Sequence, residues 1–178
     1  PDGTVAIAIP FYLASEDLIA LHAERAGHVE GRHPADILRY LRHEMGHALQ
    51  HAYQLHRRRK WQQHFGKSST KYPEYYRPNP SSKRYVQHLR LWYAQSHPDE
   101  DFAETFAVWL RPRSDWASRY RGWPALNKLR YVNALMQEIC DVAAACGHPL
   151  RDTLIDNLLG ATRAMPPYKT SMALDYEH

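Results

Sequence analysis

The sequence predicts an α+β protein that is mostly helical, with a small N-terminal β element. Three observations carry this reading. Apolar residues recur at helical spacing in the stretches that begin at Pro34, Pro98 and Pro124. One short run, Thr4 to Leu13, is rich in Val and Ile instead. Between these stretches, Pro, Gly and Ser mark loops. The 178 residues suit a single domain over 1–178 with a sizeable core.

Taken in order, Thr4 to Leu13 reads as a strand, with Pro10 marking an edge or a bend. Ser15 is placed to cap a helix over Glu16 to Arg25, which Gly27 ends. Pro34 suits a first helical turn, and the helix it opens is expected to run past Tyr53 as far as Phe65, where Gly66 stops it. Gly66 to Arg84, "GKSSTKYPEYYRPNPSSKR", is a loop by composition, and loops of this length are usually functional. Tyr85 to Tyr93 is aromatic and fits either a helix or a strand. Pro98 opens a helix through Leu110, and Pro112 ends it. Ser114 is a candidate cap for a short helix. Pro124 to Ala145 is a long amphipathic helix stopped by Gly147. A short helix is expected over Leu150 to Leu159, and 166–178 reads as an extended tail.

Composition narrows the function classes. Hydrophobic residues make up 44% and charged residues 24%, the balance of an ordinary globular chain. No apolar run approaches the 18 or so residues that span a bilayer, so no membrane span is expected. "TVAIAIPFYLA" lacks a basic flank and a small-residue cleavage site, so it does not read as a signal peptide, and the cytoplasm is favoured. Cys140 and Cys146 lie about 9 Å apart along a helix, too far for a disulfide. Net charge is +4, with one dense basic run, "HRRRK", at 56–60. That run is either a solvated helix face or a contact for an acidic partner such as nucleic acid. Nothing in the pattern sets an oligomeric state.

Chemistry enters at "LRHEMGHALQHAY", Leu41 to Tyr53. His43, Glu44 and His47 form an H-E-x-x-H motif. Histidines four apart lie one above the other on a helix, so both rings can reach one ion, and the glutamate can reach a water on that ion. With 12 His in the chain, chance alone gives such a match roughly 5% of the time. The motif therefore needs support. On a helical wheel, Ile37, Leu38, Leu41, Met45, Ala48, Leu49 and Ala52 form one apolar stripe, with His43 and His47 on the opposite side. They face either solvent or a second wall. His51 extends the series but sits about 12 Å along the axis from His43, too far to share an ion. It is expected, like His56 and His64, to be an exposed helix histidine.

The second wall is "PDEDFAETFAVWL". Phe102, Ala103, Phe106, Ala107, Trp109 and Leu110 make a broad apolar arc, and Glu100 and Glu104 stack along its edge. A solvated first turn near the positive end of the helix dipole accounts for Asp99 and Asp101, and for Glu100 as well. It accounts poorly for Glu104. Carboxylates bordering a buried face need compensation, and a dication provides it.

Together, His43-Glu44-x-x-His47 and Glu100-x-x-x-Glu104 resemble the gluzincin metallopeptidases, which pair H-E-x-x-H with a downstream glutamate ligand and an acidic residue four on. "EDFAETF" is most similar to the corresponding stretch of bacterial zinc-binding metallopeptidases and of the anthrax lethal factor catalytic domain. The likeness covers roughly Pro34 to Leu110. It implies a zincin-like fold with the β element packed on the active-site helix, and one Zn²⁺ held by His43, His47 and Glu100. Glu104 becomes a carboxylate oriented towards a ligand histidine, with direct ligation by Glu104 as the alternative. A tyrosine seven residues before the ligand glutamate falls on Tyr93 and implies a donor to the oxyanion; His88 and His97 are weaker candidates for the same role. Metzincins need Gly at Gln50 and His at Tyr53, and have neither here.

The function expected is a zinc peptidase acting on a peptide or protein substrate, with water in the open coordination place and Glu44 as general base. The loop over Gly66 to Arg84 is expected to border the cleft. The alternative is a zinc-binding or nucleic-acid-associated interaction module that does not cleave. Glu44 argues against it, because a purely structural site has no use for a base there.

Overall fold

The computed structural model describes residue 7, residues 11–27 and residues 34–145. Among these, all the regular elements are helical. Helices α1 (Glu16–Ala26), α2 (Pro34–Ala52), α3 (Arg59–Phe65), α4 (Pro98–Leu110), α5 (Trp116–Arg119) and α6 (Ala125–Ala145) are joined by three 3-10 segments, Phe11–Ala14, Leu55–Arg57 and Arg90–Gln95. No strand occurs among the described residues. The end of the expected β element is a helical turn instead, over Phe11–Ala14. The Tyr12 ring stacks on His22 of α1 at 4.1 Å, so a local packing partner overrides β propensity. The rest of Thr4 to Leu13, Ile7 apart, lies outside the described residues. So do the expected helix over Leu150 to Leu159, the tail over 166–178 and Cys146. Cys140, on α6, is a free thiol.

Helix α1 begins and ends where the signals place it, with Ser15 at the N-cap position and Gly27 in the left-handed region at φ 75°. Ser15 forms no side-chain cap bond. Helices α4 and α6 also span the expected residues. The cap of α5 is Asp115 rather than Ser114, accepting from the Ser118 N–H at 3.3 Å.

The helix expected to run from Pro34 to Phe65 is two helices. Gln54 adopts φ 49°, which no continuing helix tolerates, and the chain turns there. The break lets Leu55 point inward, where it is fully buried, and it lays α3 across the core. Trp61 and Phe65 of α3 then meet Phe102 of α4 at ring centroids 5.8 and 5.3 Å away. Val132, Leu135, Met136 and Ile139 of α6 close this cluster from below. Each Phe buried here contributes about 1.5–3 kcal/mol. A second cluster around Val86, Val108, Tyr120 and Leu129 ties the segment before α4 to α5 and α6.

Helix α4 is the centre of the molecule. Every residue from Asp99 to Val108 is buried, the acidic ones included. Helix α2 packs along it. The contact is tight because Gly46 faces Ala103: a Cβ on Gly46 would lie 2.8 Å from the Ala103 Cα. Two small residues bring the backbones together and set the distance between the side chains on either side of the contact.

Candidate metal centre

That close approach carries His43 and His47 of α2 onto Glu100 of α4. Glu100 Oε2 lies 3.0 Å from His43 Nε2 and 3.2 Å from His47 Nε2, and the two nitrogens are 3.1 Å apart. Among the described residues, these three side chains form a group able to hold a metal ion. The second wall expected opposite the apolar stripe is therefore α4, and His43 is only 3% exposed.

Glu104 stands behind His43 rather than beside the triangle. His43 Nδ1–H donates to Glu104 Oε1 at 2.9 Å, and the Leu89 N–H donates to Glu104 Oε2 at 2.8 Å. Glu104 is wholly buried, and Asp99, Glu100 and Asp101 are buried too, so the solvated acidic first turn expected of those three is not present. Its bond fixes the tautomer of neutral His43, with the lone pair on Nε2 aimed at Glu100 and His47.

The donor set fits a zinc ion. Two imidazole nitrogens and a carboxylate oxygen are zinc ligands, and tetrahedral bonds of about 2.0–2.1 Å place ligand atoms roughly 3.3 Å apart. The three separations of 3.0 to 3.2 Å are close to that edge. Three acceptors converging in a buried place also need a cation. Protons fill this need when no metal does. Burial pulls the His43 pKa down, but hydrogen bonds to Glu100 and Glu104 and their charges outweigh it and raise it to about 9. Burial likewise pushes Glu100 up, and the bonds from His43 and His47 outweigh it and hold it well below the usual carboxylate range.

Two tyrosines flank the triangle. The Tyr93 ring lies 5.8 Å from the His43 ring. Burial, then the charge of Glu100, raises its phenol to about 12, so it is a donor at neutral pH; Glu44 adds to the rise. Tyr93 follows Leu91 and Trp92, both in the left-handed region at φ 59° and 51°. Two such residues in a row are strained by about 1–3 kcal/mol each, and strain of this kind clusters at functional sites. Of the stretch that read as either helix or strand, 85–89 are neither, and 90–93 belong to a kinked 3-10 turn that carries Tyr93. Glu44 is half-buried on α2 beside His43.

The second tyrosine, Tyr72, was not singled out by its sequence position. Its O–H donates to Glu100 Oε1 at 2.8 Å, so the loop over Gly66 to Arg84 does reach the site. The only sequence hint was the density of tyrosine in that loop. His97 and His88 are engaged elsewhere. His97 caps α4, accepting the Asp99 N–H at Nδ1, while its Nε2 bonds the Thr70 carbonyl at 2.7 Å. His88 Nε2 bonds the Arg39 carbonyl at 2.9 Å. His51 is exposed as expected, whereas His56 and His64 are half-buried, the His64 ring stacked on Tyr131. In the basic run, Arg58 pairs with Glu138 at 2.8 Å, and Arg57, Arg59 and Lys60 are exposed. None of the described helices is long and apolar enough to cross a membrane.

No curated protein and no solved structure matches the chain. Residues 123–178 are similar to the ketopantoate reductase PanE/ApbA C terminal, under a third of the chain and mostly outside the described residues. The family model described as "Putative zinc-binding metallo-peptidase" matches residues 24–139, well over half of the chain and all of the site above. The chain belongs to this zinc-binding metallopeptidase family.

Proposed function

We propose that the protein is a zinc peptidase of the gluzincin type, in which His43, His47 and Glu100 hold one Zn²⁺ and Glu44 is the general base. The observation that carries the proposal is the convergence of His43 Nε2, His47 Nε2 and Glu100 Oε2 within 3.2 Å of one another. Family membership supports the metal and the reaction class.

Zinc bound there supplies a Lewis acid that polarises the scissile carbonyl and lowers the pKa of water to about 7. The chain's own groups do the rest. Glu44, one residue from His43, takes a proton from the attacking water and returns it to the leaving nitrogen. Tyr93 remains protonated at neutral pH and donates to the oxyanion that develops on the carbonyl. Glu104 holds His43 through Nδ1 and keeps Nε2 as the ligand nitrogen. An extended peptide or an unfolded segment of a protein is the substrate.

Glu44→Gln tests the assignment. It keeps the side-chain shape and removes the base, so zinc content stays at one per chain while turnover of an unfolded protein such as casein falls by about 10²–10⁴. A Gln variant as active as the wild type would remove Glu44 from the reaction. A wild type that binds zinc yet cleaves nothing in a chelator-sensitive way would instead favour a binding module.

A further inference from the structure

We propose that Tyr72 is a positioning residue of the metal centre, holding Glu100 by one carboxylate oxygen so that only the other is offered to the ion. The inference rests on the metal reading above and adds a residue to it. The two oxygens of Glu100 have different partners. Oε1 accepts the Tyr72 O–H at 2.8 Å, while Oε2 faces His43 and His47 at 3.0 and 3.2 Å. A free carboxylate can swing to give both oxygens to one cation. A hydrogen bond on Oε1 takes one of its two lone pairs and anchors the group against the swing, which favours one-oxygen ligation and four-coordination.

Tyr72 is built to stay there. It is half-exposed, so burial does not hold it. Its ring lies flat on His97, with centroids 3.7 Å apart and planes 10° apart. His97 is itself fixed at both nitrogens, by the Asp99 N–H and the Thr70 carbonyl. Ser68 ties the same loop to Asp99 at 2.9 Å. The loop is thus fastened to His97 and Asp99 at the start of α4, just before Glu100, and the tyrosine hydroxyl is its contact with the ligand itself.

Tyr72→Phe removes the hydroxyl and keeps the stack on His97. The experiment loads metal-free full-length protein with Co²⁺ and records the visible spectrum, then measures Zn²⁺ affinity against a chromophoric chelator. The wild type is expected to give the strong visible bands of four-coordinate cobalt. The Phe variant is expected to bind one cobalt with visible absorption reduced by roughly half or more, as coordination number rises. Its zinc affinity is expected to fall about tenfold. A Phe variant with a lower Tm but the wild-type cobalt spectrum and zinc affinity would overturn the proposal and leave the metal centre standing. A wild type that takes up neither metal would overturn both.

Discussion

Helix α4 carries four buried carboxylates, and they are neutralised in two different ways. Asp99 is held by neutral donors, Gln50 and Ser68, one on each oxygen, whereas Lys128 pairs with one oxygen of Asp101 and leaves the other without a hydrogen-bond partner. Glu100 and Glu104 share the titratable ring of His43, and Glu100 also faces His47. The first pair is bonded by Gln, Ser and Lys side chains, which keep one protonation state near neutral pH. The second is held together by groups that change protonation, and it closes on a place where three acceptors converge. The difference teaches where to look for function: burial of an acid is not the signal, but two buried acids that depend on one titratable ring are.

The largest expected effect breaks the second pair. Glu100→Ala removes one corner of the triangle, and metal measured by mass spectrometry is expected to fall from one ion per chain to none. Asp99→Asn, one residue away, is expected to leave it at one. Full metal retention in the Ala variant would mean that the two pairs do not differ as argued.

Next in size is the structural pair. Lys128 is 13% exposed and Asp101 3%, so Lys128→Met strands a buried charge. A loss of about 3–5 kcal/mol is expected in denaturant unfolding, with most of it recovered by adding Asp101→Asn. A double variant no more stable than the single one would show that the lysine matters for its packing over Tyr85, 4.4 Å away, and not for the charge. Smaller again is Glu104→Gln. The amide keeps an acceptor for His43 but sets an NH₂ group against the Leu89 N–H. Zinc affinity is expected to drop about 10- to 100-fold in chelator competition, with the fold intact by circular dichroism. An unchanged affinity would reassign Glu104 to the structural class of Asp99 and Asp101.

The centre was legible in the sequence because its parts obey helical spacing. His43 and His47 are four apart, Glu100 and Glu104 are four apart, and each pair borders an apolar face that can be counted on a wheel. The need to compensate Glu104 points in the sequence to a dication, whereas in the structure the His43 ring and the Leu89 N–H meet its two oxygens. Features that depend on irregular backbone were not legible. The break at Gln54 has no Gly or Pro to announce it and is set by where Leu55 and Trp61 find burial. The kink at Leu91 and Trp92 puts two bulky residues in a conformation that propensity rules assign to Gly or Asn. Tyr72 comes from a loop, where no period relates one residue to the next. Of the run expected as a strand before α1, Phe11 to Leu13 form a helical turn instead, where the Tyr12 ring stacks on His22; the β-branched residues Thr4, Val5 and Ile9 lie outside the described residues.

Gly46→Ala asks how finely the two helices must meet for α4 to serve both purposes. In isolation the change favours a helix by up to about 1 kcal/mol, because Gly loses more backbone freedom on folding than Ala does. Here the new methyl would lie 2.8 Å from the Ala103 Cα and 3.3 Å from its carbonyl oxygen, both backbone atoms of a buried helix that cannot rotate away. The helices must separate by a few tenths of an ångström, at an overpacking cost of about 1–3 kcal/mol that exceeds the propensity gain. Separation acts unequally on the two pairs of acids. Asp101 and Lys128 lie on the α6 side and move together with α4. His43 and His47 ride on α2, so their distances to Glu100 lengthen directly. The expected result is a modest fall in Tm with a clear loss of zinc affinity, and a Lys128–Asp101 coupling energy, measured by double-mutant cycle, that does not change. Equal losses in both would mean that the helix contact supports the whole fold and has no special hold on the site.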